Sequence, residues 1–329
     1  MSENVDLWEL SNLATPWCVR VVVTLGVAPH MAEGVREVGE LARRTGCDGP
    51  SLGRVLRHLV GKGLFEEPAE DEFTLNDASR VFLEPGPLRG GLDLDGHGGR
   101  LAGAWTGLLD AVRSGRPSYE SVYGLKFWED LDAHPGLAES YDSMMVEGRH
   151  VPDPAVLVHD DWEEVRHVVD VGGGTGAMLA EILRAHPHLK GTLVDLPRTV
   201  ARSGEIFGPA GVAGRASVSP QSFFAPLPTG ADVYLIQSVL LDWPDEEATQ
   251  LLARCAEAAA TTPGGRVVVV GGVSAGRTAG KGGLLLMVMT GGRPRSLEEF
   301  RVLAAKAGLT VSASGESPSG HFIIESRPS

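Results

Sequence analysis

The sequence predicts an α/β protein in which a doubly wound sheet follows a helical module of winged-helix shape. Three observations predict it. From Val165 onward, short β-rich runs alternate with amphipathic helices, the rhythm of a parallel sheet covered on both faces. One of those runs, His167–Val171, opens directly into the glycine cluster Gly172-Gly173-Gly174-Thr175-Gly176. Between residues 38 and 75, two short helical patterns joined by a turn precede a hairpin pattern.

The chain of 329 residues is long enough for more than one domain, each with its own core. Hydrophobic residues make up 43% and charged residues 22%, an ordinary globular balance. The formal net charge of -14 repels phosphate backbones and anionic membranes at long range, so nucleic acid and membrane are not expected partners. Three scattered cysteines, Cys18, Cys47 and Cys255, form no Cys-x-x-Cys pair, which argues against a disulfide framework or a metal site. No apolar run reaches membrane-spanning length and the first residues are acidic, unlike a signal peptide, so a cytoplasmic protein is expected.

Taken in order, Leu7 to Met31 carries apolar residues at helical spacing, interrupted by Pro16 and Pro29, as in short helices that dock on a partner. Residues 38–46 and 51–60 follow as a helix pair around a turn holding Gly46, Gly49 and Pro50. Leu64–Glu67 and Glu72–Leu75 form the expected hairpin, which completes a winged helix. Such a module binds DNA, here through Arg54, Arg57 and His58, or serves only to dimerise and cover a site; the acidic balance favours the second. The glycine-rich stretch 86–104 predicts a mobile connection, and helical patterns resume from Trp105 until Pro152 and Pro154. The expected division is therefore 1–90, 91–152 and 153–329.

At the glycine cluster the absence of side chains lets the backbone turn tightly, admit a ligand against its amides and bring the next helix close. Asp195 lies 21 positions after Gly174, at the end of the next expected strand, where a carboxylate accepts hydrogen bonds from both hydroxyls of a ribose. This much suits either a nicotinamide dinucleotide or S-adenosyl-L-methionine (SAM), since Gly172-x-Gly174-x-x-Ala177 loosely satisfies the dinucleotide pattern too. Three features favour SAM. Asp170 stands just before the glycines, where it meets a cationic amino-acid group but repels a pyrophosphate. The run Gln221-Ser222-Phe223-Phe224 offers a polar group and aromatic faces to an adenine. The turn also follows the small module and starts the last domain, an unusual place for a dehydrogenase.

These residues, with Gly191–Pro197, Ser238-Val239-Leu240-Leu241-Asp242-Trp243-Pro244-Asp245 and Gly291–Phe300, resemble the actinobacterial SAM-dependent O-methyltransferases of polyketide and antibiotic biosynthesis. The resemblance covers nearly the whole chain. It implies a class I SAM-methyltransferase fold, a Rossmann-like sheet behind a winged-helix dimerisation domain, in a homodimer. It also implies SAM as cofactor, with S-adenosyl-L-homocysteine (SAH) as its product, and a small aromatic acceptor. Gly172 and Gly174 would line the methionine part of the cofactor, Asp195 and Leu196 the ribose, Ser222 and Phe223 the adenine. Gln237 and Ser238 would approach the amino-acid or sulfonium end. Met145 would pack on the acceptor ring, with Trp105, Phe127, Trp128, Leu241 and Met289 as further acceptor contacts.

The chain departs from that family at one informative place. Many members carry a histidine base where this chain has Leu241, and its supporting glutamate is replaced by Gly271. The variant resembles the anthracycline-tailoring subgroup, typified by carminomycin 4-O-methyltransferase and aclacinomycin 10-hydroxylase, in which transfer rests on proximity. Alignment of the reacting atoms supplies about 7 to 11 kcal/mol, whereas lack of a base forfeits only about 10² to 10⁴ in rate. Asp242 is the ionisable group next to Leu241 in the motif, with a structural or orienting role expected ahead of a catalytic one. The same subgroup leaves two other readings open: a non-methylating step such as hydroxylation, decarboxylation or cyclisation, and a winged-helix regulator.

Overall fold

The computed structural model describes residues 6–147, 153–276 and 283–329. They fall into two compact units, one within Met1–Thr106 and Trp128–Arg149, the other within Gly107–Phe127 and His150–Ser329. The segment 107–127 thus packs with the sheet-bearing unit rather than with a separate middle region.

The first unit opens with α1 (Leu7–Ser11), α2 (Ala14–Thr24), α3 (Val27–Ala32), α4 (Val38–Thr45) and α5 (Gly49–Val60). Asp48 caps α5 by accepting from the Ser51 N–H, and Gly46 closes α4 in the left-handed conformation that a turn between helices requires. The apolar faces of α4 and α5 bury Leu41, Leu52, Leu56 and Leu59 against Phe65 and Phe73 of the hairpin. Each such side chain stabilises by on the order of 1.5–3 kcal/mol. The hairpin pairs β1 (Glu66–Ala69) with β2 (Glu72–Thr74), giving the expected wing. Arg57 is engaged by Glu67 at 3.0 Å and by Asp71, and His58 Nε2 bonds Thr15 Oγ1 at 2.8 Å.

The glycine-rich stretch is not a loose connection: it forms α6 (Pro87–Leu92) and α7 (His97–Ala104). A side chain at Gly98 would collide with the Asp93 and Gly90 carbonyls, and one at Gly99 with Leu94, so these glycines allow close helix approach. Next come α8 (Leu108–Ser114), α9 (Tyr119–Tyr123), α10 (Phe127–Ala133) and α11 (Pro135–Glu147).

The second unit is built on β3 (His167–Val171), α12 (Ala177–Ala185), β4 (Lys190–Asp195), α13 (Pro197–Val200), α14 (Gly204–Phe207), β5 (Ala216–Pro220), β6 (Val233–Gln237), α15 (Asp245–Ala259) and β7 (Arg266–Val270). After β8 (Val273–Ser274) come α16 (Gly283–Met289), β9 (Arg295–Ser296), α17 (Leu297–Lys306), β10 (Leu309–Glu316) and β11 (Phe322–Pro328). The main sheet has the order β10-β11-β7-β6-β3-β4-β5. Strands β3 to β7 are parallel, but β11 pairs antiparallel with both β7 and β10. The doubly wound parallel sheet thus carries an antiparallel strand near one edge, because a short connection joins β10 to β11 and only a hairpin can follow from it.

Alternate residues of the central strands face opposite layers. Val168, Leu193, Val233 and Leu235 pack with Leu179, Ile182 and Leu183 of α12, while Val169, Val194, Tyr234 and Ile236 pack with Leu251, Leu252 and Phe300 of α15 and α17. Strand order reverses at β3, with β4 on one side and β6 on the other, so the crevice beyond their carboxyl ends is the ligand position of such sheets.

Candidate active site

The turn after β3 is shaped by what its glycines exclude. Gly172, Gly174 and Gly176 have φ of 72°, 65° and 89°, where L side chains are strained. A side chain at Gly172 would come within 2.8 Å of Val239 and 3.4 Å of the Phe223 ring, and one at Gly176 would strike the Phe207 ring. Gly172 N–H donates to Val194 O at 2.8 Å, which ties the turn to β4.

Asp195 is fixed from both sides. Its Oδ2 accepts from the Gly174 N–H at 2.8 Å and its Oδ1 from the Leu196 N–H at 2.7 Å. A carboxylate has capacity beyond two acceptor contacts, and one pinned at the mouth of a glycine turn is what a ribose diol needs. Asp170 is placed differently from its expected contact with a ligand. It is 1% exposed and lies under Gly173, where any side chain would collide with its carboxyl. Its carboxyl is covered by the turn rather than open to a ligand.

Next to the turn, Gln221 N–H donates to Asp195 O at 3.0 Å and brings the Ser222–Phe224 segment over β4. The Gln221 amide is committed to its own loop, accepting from Ser219 Oγ and donating to Pro226 O. Phe223, Phe224 and Trp243 form an edge-to-face trio with centroids 4.8 to 5.8 Å apart. Phe223 thus serves core packing and also presents its edge beside Gly172; Ser222 is exposed.

At the end of β6, Gln237 is half-buried and Ser238 exposed. Ser238 has φ of 54°, a conformation costing about 1 kcal/mol or more outside glycine. Beyond it a single turn of 3₁₀ helix, Leu240–Asp242, carries the motif. Leu241 packs on Gly272, whose side chain, had it one, would approach Leu241 Cβ and Cδ2 to 2.9 Å. The Asp242 side chain retains some solvent contact while its carboxyl is desolvated, and burial pushes it up to about 7.

Arg295, to which the sequence reading attached no role, holds this loop from behind. It is fully buried. It donates to Leu240 O at 2.9 Å, Trp243 O at 2.8 Å and Asp245 Oδ1 at 2.8 and 3.0 Å. For Asp245 burial works against ionisation, but the hydrogen bonds from Arg293 and Arg295 outweigh it and hold its carboxyl below the usual range. The only signal in the sequence was an arginine pair around a proline, Arg293-Pro294-Arg295, with no partner visible.

The expected acceptor contacts divide. Trp105 is 37% exposed, and Trp128 and Met145 are half-buried in the first unit. In the second unit, Phe127 is buried edge-on against Tyr119 at 5.3 Å and Met289 is also buried. Among the described residues no His, Cys, Asp and Glu cluster suits a metal.

The sheet order, the glycine cradle and the pinned acidic residue that ends β4 define a class I SAM-dependent methyltransferase. The chain belongs to the O-methyltransferase family, whose O-methyltransferase domain matches residues 105–310 and whose dimerisation domain matches 8–85. It is 40% identical to 2,7-dihydroxy-5-methyl-1-naphthoate 7-O-methyltransferase of Streptomyces carzinostaticus, over 94% of each chain. It is also 40% identical to aclacinomycin 10-hydroxylase RdmB of Streptomyces purpurascens, over 94% of this chain and 85% of the relative. The crystal structure of the O-methyltransferase NcsB1 from neocarzinostatin biosynthesis, in complex with SAH and 1,4-dihydroxy-2-naphthoic acid, superposes with a TM-score of 0.91 at 38% identity, covering all of both chains. SAM is accordingly the cofactor, and the expectation of a dimerisation domain in the N-terminal region holds.

Proposed function

We propose that the protein methylates a phenolic hydroxyl of an aromatic natural product, an intermediate of a polyketide antibiotic, by proximity and orientation, as a cytoplasmic homodimer. The observation that carries the mechanism is Leu241 packed on Gly272, at the place where the family's histidine base would stand. When bound, SAM supplies an electrophilic methyl group on a cationic sulfur.

The chain's own residues do the rest. Gly172 and Gly174 admit the cofactor's backbone-facing side, Asp195 and Leu196 hold its ribose, and Ser222 and Phe223 border its adenine. Gln237 and Ser238 orient its amino-acid end, and the buried Asp170 adds a negative field that favours a cation over a pyrophosphate. Leu241 excludes water from the transfer line. Asp242 orients the acceptor oxygen rather than abstracting its proton, which the phenol loses to solvent. Trp105, Trp128 and Met145, each in the first unit, are the proposed aromatic contacts of the acceptor.

A second reading, a non-methylating tailoring step, is favoured by the same Leu241 and Gly271 and by the 40% identity to a hydroxylase. Mass spectrometry of products from a panel of polycyclic phenols decides between the two. The first reading expects the mass of one added CH₂; an added oxygen atom, or loss of carbon dioxide, sinks it in favour of the second. A DNA-binding regulator is disfavoured, because Arg57 is already neutralised by Glu67 and Asp71.

A further inference from the structure

One buried titratable side chain has no part in the scheme above. His97, the first residue of α7, is 0% exposed. Its Nδ1 lies 2.8 Å from Ser140 Oγ, its Nε2 lies 3.0 Å from Met144 Sδ, and its backbone N–H donates to Ser140 Oγ at 3.3 Å. A thioether sulfur has no hydrogen to give, so Nε2 carries the proton. In the neutral ring Nδ1 then accepts from the Ser140 hydroxyl, and every donor and acceptor of the imidazole is matched. Burial pulls the imidazole below its ordinary value, against the pull of Asp93, which keeps it in that neutral form.

The fit leaves no slack. A side chain at Gly90 would stand 3.3 Å from His97 Cε1 and 3.7 Å from Met144 Cβ, and one at Gly96 would press on Ser140 at 2.6 Å. The imidazole also meets Tyr141 edge-on at 5.9 Å, and Tyr141 meets Trp128 edge-on at 5.8 Å. Ser140 and Met144, and Tyr141 and Met145, are each one helical turn apart on α11, so any rotation of that helix carries Met145 with it.

We propose that His97 is a positioning residue for the acceptor: bolted to Ser140 and Met144, it sets the rotation of α11 and so presents Met145 and the Tyr141–Trp128 pair. This rests on the reading of the protein as an enzyme with an aromatic acceptor. A polar, fully matched imidazole specifies one helix orientation, whereas an apolar residue of similar volume would accept several.

The test is calorimetric titration of the SAH-loaded protein with 1,4-dihydroxy-2-naphthoic acid, which needs no turnover. His97→Leu is expected to weaken naphthoate binding about tenfold while leaving SAH affinity within about twofold. His97→Asn, which keeps an acceptor for Ser140, should recover most of the loss. Unchanged naphthoate binding in His97→Leu, or an equal loss of SAH, overturns the proposal; so does an asparagine variant no better than leucine. If the leucine variant does not fold, Ser140→Ala must show the same selective loss. Wild-type protein that binds SAH but neither this naphthoate nor any of the polycyclic phenols of the panel would instead refute the aromatic-acceptor reading and take this proposal with it.

Discussion

Asp242 is the residue whose chemistry is most exposed to test. Burial pushes its carboxyl from an ordinary 3.8 up to about 7. The folded protein therefore keeps that proton longer than the unfolded chain. The associated stability is fully present below about pH 4 and is lost as pH rises through about 7. Asp242→Asn cannot ionise, so its melting temperature relative to wild type should climb between about pH 4 and 8, as followed by thermal unfolding across that range. A difference flat in pH would show that the carboxyl is not desolvated. The same variant should slow methyl transfer by less than about tenfold if Asp242 only orients, whereas a general base would cost about 10² or more. At this scale the sequence shows which residues stand at the turn but not which way their side chains point. Asp195 ends β4 as expected and accepts from the Gly174 N–H, but Asp170 is buried under Gly173, because a residue's direction near a strand end depends on how the turn beyond it closes.

At the scale of elements, the loop Leu240–Asp245 is held by the buried Arg295. Removing that guanidinium leaves the Leu240, Trp243 and Arg293 carbonyls without its hydrogen bonds, while Asp245 keeps Arg293. Arg295→Ala should destabilise the protein by ~1–3 kcal/mol, the cost of buried acceptors left unmatched, readable by urea unfolding. Arg295→Lys should fall between, since a compact ammonium cannot span three acceptors. Loss of activity in Arg295→Lys without loss of stability would mean a role other than holding the loop. The elements legible beforehand were those with strong periodicity: β3, β4, β6, α12, α15, and the helix pair with its wing. Two strands of the main sheet were missed, as was the two-residue pair β8 and β9. Residues of β5 are polar and mostly solvent-facing, and β10 alternates small residues such as Ala313 and Gly315 whose apolar signal is weak. The glycines of α6 and α7 misled for a different reason: intrinsic propensity counts each glycine against a helix, whereas here they permit close packing that repays the loss. Arg295 and His97 were invisible because their partners lie 50 and 43 positions away in the chain.

At the scale of the whole molecule, the net charge of -14 and the dimerisation domain at 8–85 point the N-terminal region toward another protein copy rather than toward nucleic acid. The short α1 has no buried residue and leaves Leu7, Trp8 and Leu10 at 73%, 88% and 74% exposure. Exposed aromatic and aliphatic side chains on one short helix are typical interface anchors. Sedimentation should find a dimer, and Trp8→Glu with Leu10→Glu should weaken it by on the order of thirtyfold or more. A double variant that sediments as wild type would remove α1 from the interface.

The central claim is that the glycine turn and its pinned carboxylate bind an adenosyl sulfonium and not a dinucleotide. Isothermal titration of the purified protein with SAM, SAH and NAD, repeated on Asp195→Ala, tests it most directly. The expected result is binding of SAM and SAH, none of NAD, and a loss of about tenfold to a hundredfold in the alanine variant, as for a charged hydrogen-bonding group removed from a ligand diol. Tight NAD binding with none of SAM or SAH would contradict it.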